Sequence, residues 1–534
     1  MRNKLFALLL GGTMVLSLAA CGRTGENGSS QVSEEKSSQV QQESKAEESQ
    51  EEPADDLEPY TVTMWTLGND SKDVEAVLDV VNERLQEILP NTTLEVMFIS
   101  DSEYNDRWTK ALAADEKIDI GWSANWVNNV ETDVANGVVL PIEDLLKEYG
   151  AGIVEAVGGW TVLDQHHSLD GELYFVPCWQ GLVGGRHGMY LDADILGLMP
   201  EGWKDELQQV IFDHQEYTVE DKEPIYDKLE EYLEVAKEND MLDYGVGAVD
   251  SVRMIGLAWT NYYLNVVETE EGVYEVYTNY NDPVTLAANK KVSEWIEKGY
   301  VRADLINEAV DYAANDYIMY ANQAVSSDWL EKRMLADTRE DLDGVLLQPS
   351  NSLISGFATG AVIPYTSENP ERAMQVLNVL YTNKEIYQLL VYGIEGTHYE
   401  LNEDGTISRP ASGERSYEGV TNWTLGTCMN ILEETPGQLA AYEALKEEEK
   451  TATVNPFLEF IFDKSNVMTE ETNIGAVHIE YVFQTNAATL DEIDGLYDEW
   501  ETKTVQAGME TYMEEFKNQL SEYLQKKNLG VVAE

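Results

Sequence analysis

The chain opens on an unbroken apolar run. Leu5 to Ala20 is almost wholly apolar, Arg2 and Lys4 precede it, and the small residues Ala19 and Ala20 stand before Cys21. Basic, then apolar, then small is the anatomy of a secretory signal. The run is short for a membrane span, which needs about 20 apolar residues. The apolar pattern then vanishes. Residues 22–59 carry no aromatic and hardly any aliphatic side chain, and Ser, Gln and Glu dominate. Such a stretch cannot bury enough apolar area to offset the entropy of ordering it. A disordered acidic linker, extended by self-repulsion, is expected.

From residue 60 the pattern becomes periodic. "YTVTMWTLG", with Val62 and Met64 on one face, predicts a strand. Val74, Val77, Leu78, Val81, Leu85 and Ile88 recur at helical spacing after Ser71, and Pro90 closes that helix. "TLEVMFI" (93–99) predicts a strand, the surroundings of Trp108 to Ala114 a helix, and "IDIGWSA" a third strand. Strand and helix in alternation predict an α/β fold with a mainly parallel sheet. Further strands are expected at 172–179 and 244–249, and helices at 225–239, 284–298, 369–391 and 486–526. In the last of these, Tyr497, Trp500, Tyr512, Phe516 and Tyr523 are expected to face a core. Segment 201–224 is polar and weakly periodic and reads as a surface elaboration. A body of about 475 residues exceeds one simple core, so two or more domains are expected.

Composition narrows the partners. With 99 acids against 35 bases the formal net charge is −64. Nucleic acid is excluded by phosphate repulsion, and an acidic ligand is disfavoured unless a local basic pocket overrides the mean field. Besides Cys21 there are only Cys178 and Cys428. They read as two small buried residues, and no CxxC pair offers a zinc site. Six histidines give no HExxH spacing, and the adjacent pair His166-His167 diverges in either a helix or a strand. No GxSxG elbow is present, and neither "GLVGG" nor "GVGAVD" fits a phosphate loop. Glycoside hydrolysis needs two carboxylates about 5–10 Å apart, which so acidic a chain neither supports nor excludes. No cofactor and no metal is expected.

Tryptophan stands out instead. Of 12, Trp65, Trp122, Trp126, Trp179, Trp259, Trp329 and Trp423 fall at predicted strand ends or in loops. Each alone fits core packing. Several together at the carboxyl ends of strands favour a ligand cleft, because open α/β sheets bind there. An indole face suits the apolar face of a pyranose, while Asn, Asp and Glu take its hydroxyls.

The order of these segments carries a resemblance. Leu18-Ala19-Ala20-Cys21 resembles the lipobox of bacterial lipoproteins, which implies cleavage before Cys21 and diacylation of that cysteine. From residue 60 to the C-terminus the chain resembles the extracellular solute-binding proteins of ABC importers, in the class of maltose-binding protein. The likeness rests on Gly137 to Ile142, on Gly171, Tyr174, Pro177, Tyr190 and Asp194, on "VDYAANDYIMYANQAVSSDWLEKRM" (310–334), on "NPERAMQVLNVLYTNKEIYQLLVYGIEGTHYEL" (369–401) and on "TNWTLGT" (421–427). The ending "GIEGTHYEL" resembles a Gram-positive lipoprotein branch. Asn322-Gln323 departs from the family's usual Gly-Lys-like pair.

The resemblance implies two α/β lobes joined by crossovers near Pro177, Pro349 and Thr427, with ligand between them and closure by hinge motion. The division expected is a signal at 1–20, a lipidated Cys21 and linker at 21–59, a first lobe of 60–177 and 349–427, and a second of 178–348 and 428–534. A carbohydrate, an oligosaccharide above all, is the expected ligand. Trp329 and Trp423 are the candidate stacking platforms, with Trp65, Trp122 and Trp126 behind them. Asn125, Asp328 and Glu395 are candidate hydroxyl partners, although Asp328 also fits a helix N-cap and Glu395 a surface-loop carboxylate. A monomer, tethered to the outer face of the membrane and serving a permease without covalent chemistry, is the reading. A peptide-binding lipoprotein on the same scaffold and a surface glycosidase are the alternatives.

Overall fold

The computed structural model describes residues 57–534 apart from 125–126, 129, 169–170, 181–186, 243–244, 247–248, 302–316, 324–341, 350–351, 354–358, 451, 458–459 and 534. The signal segment, Cys21 and the linker up to residue 56 lie outside the described residues. Among those described, no helix is long and apolar enough to cross a membrane.

The first core forms around a five-stranded sheet. Strand Tyr60–Leu67 is an inner strand, parallel to Thr92–Ile99 along its whole length and to the central strand Ile120–Ala124. Thr359–Val362 adds antiparallel beside Ile120–Ala124, and Val176–Pro177 closes the edge. Helix Val74–Ile88 buries Val77, Val81 and Leu85, the stripe its spacing predicts. Helix Asp101–Ala113 buries Tyr104, Trp108, Ala111 and Leu112. Gly121 lets that helix approach, since a Cβ there would lie 2.2 Å from the Trp108 ring. Helices Pro370–Thr382 and Lys384–Tyr392 complete the layer, each capped by an asparagine: Asn369 accepts from Arg372 N and Asn383 from Ile386 N.

A second core surrounds the sheet Leu342–Leu346, His187–Asp192, Tyr317–Gln323 and Gly245–Val246. Helices Trp203–Asp213, Val219–Glu238 and Pro283–Glu297 contribute to it. A third core sets the antiparallel strands Leu257–Thr260, Leu264–Glu270 and Val273–Thr278 against helix Met509–Lys527 and Phe457, Phe460 and Phe462. Buried Asp282 joins the two. It caps helix Pro283–Glu297 and also accepts from Asn265 Nδ2, Tyr217 Oη and Thr285 Oγ1. The molecule is thus a mixed α/β protein whose strands fall in separate sheets, each with its own core.

Four expectations need correction. Segment 201–224 is not a surface elaboration: Trp203, Leu207 and Ile211 are buried one helical turn apart. The helix expected at 369–391 is two helices, because Asn383 leaves helical geometry (φ −101°, ψ 103°) to cap the second. The helix expected at 486–526 breaks at Gly508, whose φ of 107° no regular helix holds, into Leu490–Gln506 and Met509–Lys527. Residues 428–445, assigned by segment order to the second lobe, pack in the first core through Cys428, Ile431, Ala441, Tyr442 and Leu445. The cause is a short parallel bridge. Trp179 N donates to Gly426 O (2.9 Å) and Cys428 N to Trp179 O (2.8 Å), and Tyr442 then packs on the Trp179 ring. Cys178 and Cys428 are both buried thiols, and burial pushes Cys178 up to about 12.

Candidate functional site

The parallel strands of the first sheet end together. Leu67 pairs with Ile99, and Gly68 N donates to Ile99 O. Thr359 begins its antiparallel strand opposite Ala124, so it joins the same edge from the other direction. Cys178 N donates to Thr359 O, which brings Cys178 and Trp179 there too. The carboxyl edge of an α/β sheet is where strand geometry leaves loops free to hold a ligand.

Trp423 stands at this edge. It lies in a 3-10 turn, Asn422–Thr424, tied down from two sides. Thr359 Oγ1 donates to Trp423 O (3.2 Å), and Tyr387 Oη donates to Asn422 O (2.7 Å). The indole is half-buried against the first core. Its backbone is therefore held in place, and its side chain is partly exposed.

The two residues before Trp423, Thr421 and Asn422, line a polar cavity of about 270 Å³. Gly68 and Asn69, just past strand Tyr60–Leu67, form another wall. Arg409, Arg415, Glu418 and Glu434 bring charge to it. The Arg409 guanidinium lies over the Tyr392 ring at 5.2 Å, and burial lowers its proton affinity. Sequence reasoning missed this cavity. The signal available was two arginines six positions apart in a chain poor in bases, on a loop whose fold periodicity does not report.

Trp65 and Trp122 are placed elsewhere. Each is 3% exposed, inside an aromatic nest with Tyr104 and Trp108. Tyr104 Oη accepts from Trp122 N at 2.8 Å and donates to Trp65 O at 3.4 Å. These indoles support the edge from beneath and offer no open face. The same nest holds Asp133, which accepts from Trp108 Nε1 (3.0 Å) and lies near Asn128 Nδ2. Burial raises Asp133 to about 6 against the pull of those two donors. Glu395 is exposed in the turn after helix Lys384–Tyr392 and does not line the cavity. Asn125, Trp126, Asp328 and Trp329 lie outside the described residues. Among the described residues, no three His, Cys, Asp or Glu side chains gather as a metal site would require.

Residues 456–525 match a family described as a domain of unknown function (DUF3502). A "Carbohydrate ABC transporter substrate-binding protein" of Streptococcus pneumoniae serotype 4 is 21% identical over 482 residues, covering 87% of this chain and 91% of the relative. The "Polygalacturonan/rhamnogalacturonan-binding protein YtcQ" of Bacillus subtilis strain 168 is 22% identical over 458 residues, covering 81% and 87%. Among solved structures, the N-glycan transport solute-binding protein NgtS of Streptococcus pneumoniae shares the fold with a TM-score of 0.68 at 18% identity, over 88% of this chain and 100% of that one. This chain is thus similar along most of its length to a substrate-binding protein of a carbohydrate ABC transporter, and it shares the fold of a solute-binding protein.

Proposed function

We propose that the protein captures an oligosaccharide at the carboxyl edge of the first sheet and delivers it to an ABC permease. The observation that carries this is Trp423, half-buried on a turn whose backbone Thr359 and Tyr387 hold, directly after the cavity-lining residues Thr421 and Asn422. Trp329 is the second candidate platform in this reading, with Trp126 behind it, and Asn125 and Asp328 are candidate hydroxyl partners. The relatives named for carbohydrate and pectic-polymer binding support a sugar over a peptide.

The lobes of this reading are 60–179 with 359–445, and the second and third cores together. The chain crosses between them near Trp179, ahead of Thr359 and after Leu445. Closure over the sugar is a hinge motion that also forms the surface the permease reads. Cys21 carries the lipid that holds the protein at the outer face of the membrane, and the acidic linker spaces the body from it. The protein returns its ligand unaltered.

Thermal unfolding of the full-length protein against neutral oligosaccharides, monosaccharides and short peptides tests this. A ligand at 100 times its Kd stabilises the fold by about 2.7 kcal/mol. Trp423→Ala is expected to raise Kd roughly tenfold or more, about 1.4 kcal/mol. A response to peptides alone, or consumption of the sugar, would replace the reading with a peptide carrier or a glycosidase.

A further inference from the structure

The charges around the cavity at Asn422 cancel without touching. Arg409 Nη1 and Glu434 stand 3.8 Å apart, and Arg415 Nη1 and Glu418 3.7 Å apart. Both separations are within ion-pair reach but beyond hydrogen-bond length, which for N–H···O runs from about 2.7 to 3.2 Å. Two guanidiniums and two carboxylates therefore line one small space and bring it no net charge.

Three of the four side chains are held by other contacts. Arg409 Nη2 donates to Glu418 O (3.2 Å) and Val391 O (3.4 Å), and its guanidinium lies over the Tyr392 ring. Arg415 Nε donates to Pro410 O (2.7 Å). Glu418 accepts from Gly413 N (2.7 Å) and Ser412 Oγ (3.4 Å). These anchors keep both pairs open. A hydroxyl is the group that suits an open pair, because it donates and accepts at once. Set beside the pair, it accepts from the guanidinium and donates to the carboxylate, and hydrogen bonds to ionised partners are roughly twice as strong as neutral ones. A charged substituent has no such fit. A carboxylate on an arginine leaves the neighbouring glutamate facing a like charge, and an ammonium on a glutamate does the same to the arginine. Asn69 and Thr421 add a neutral amide and hydroxyl to the lining.

We infer that this cavity is a subsite for an uncharged sugar ring, and that its two open ion pairs make it reject uronic acids and amino sugars alike at that position. The inference rests on the carbohydrate reading and narrows it to glycans whose ring held here carries hydroxyls and no charge. The chain's net charge of −64 does not produce this pattern, since it would favour an amine over the neutral ring.

Isothermal titration of the full-length protein tests it with maltotriose, mannotriose and galactotriose. Each is compared with analogues altered at one primary hydroxyl, ring by ring: the uronic acid, the primary amine and the neutral uronamide. At one ring the acid and the amine are both expected to bind roughly tenfold or more weakly than the parent, with the uronamide close to it. Glu418→Gln should lift the loss for the acid and deepen it for the amine, and Arg415→Gln should do the reverse. Glu434→Gln, at the most exposed of the four side chains, repeats the first test. Equal losses for acid, amine and uronamide would show that size is read rather than charge and would overturn the inference. So would loss of the acid alone, which is the work of the net field, or a selectivity that none of the variants moves. If no saccharide binds in any form, the carbohydrate reading itself fails and this subsite with it. The analogue comparison uses the unmodified protein, so it decides even where the variants do not fold.

Discussion

Asp133 shows how one buried group links the edge of the sheet to solution conditions. Its carboxylate sits at 8% exposure under the loop that follows Ala124, and its ordinary pKa of 3.8 rises to about 6. A raised carboxyl pKa means that the folded state holds its proton where the unfolded chain has lost it. Stability from this group is therefore greatest at acid pH and declines as pH rises from about 4 through 6, by about 2–3 kcal/mol at order of magnitude. Asp133→Asn keeps an oxygen for Trp108 Nε1 and removes the titration. Denaturant melts of both proteins at pH 4 and pH 7 should show the variant gaining on the wild type at the higher pH. Parallel curves would mean that Asp133 ionises freely in the fold. Sequence pointed to the tryptophans of this region but not to their division of labour. Trp65, Trp122 and Trp423 look alike in the chain, all near strand ends. Burial separates them, and burial depends on the helix Asp101–Ala113 packing over two of the three.

Elements were legible where one face is apolar and the period is regular. The strands at 60, 92 and 120 and the helix at 74 follow their patterns within a few residues. Breaks were less legible, because an asparagine or glycine inside an apolar period costs little pattern while redirecting the chain. Asn383 and Gly508 are of that kind. The cavity was hidden for a related reason: its walls come from the end of helix Lys384–Tyr392 and from loops distant in sequence, joined only once Gly68, Tyr392, Arg409 and Asn422 meet in space. Gly121 gives an element-scale test. It is the point where helix Asp101–Ala113 touches strand Ile120–Ala124, with Trp108 where a Cβ would be. Gly121→Ala must push the helix outward or tilt the indole, at a cost of about 1–3 kcal/mol for overpacking. The urea midpoint should fall accordingly, and near-ultraviolet circular dichroism should change because Trp65, Tyr104 and Trp122 share the nest. An unchanged midpoint would show that the nest yields without cost.

At the scale of the whole molecule, charge and site act over different ranges. The chain carries −64 formal charges, while in the cavity at Asn422, Arg409 and Arg415 are balanced by Glu418 and Glu434. The distant field acts on a ligand approaching from solution, whereas the arginines act only at contact. These two contributions differ in their response to salt, since screening removes interactions longer than about 10 Å at 0.1 M and leaves short, partly buried contacts mostly intact. An acidic oligosaccharide should therefore associate slowly at low ionic strength and faster as salt rises, the reverse of a steered encounter between opposite charges. A neutral oligosaccharide of equal length should show no such change. Stopped-flow tryptophan fluorescence, with Trp423→Phe as the control for the reporting indole, measures both association rates between about 10 mM and 150 mM salt. Acceleration of the acidic ligand alone would establish that the net negative field acts on ligands approaching the site. Slowing with salt would mean instead that a local positive potential at the entrance outweighs that field and steers the ligand in.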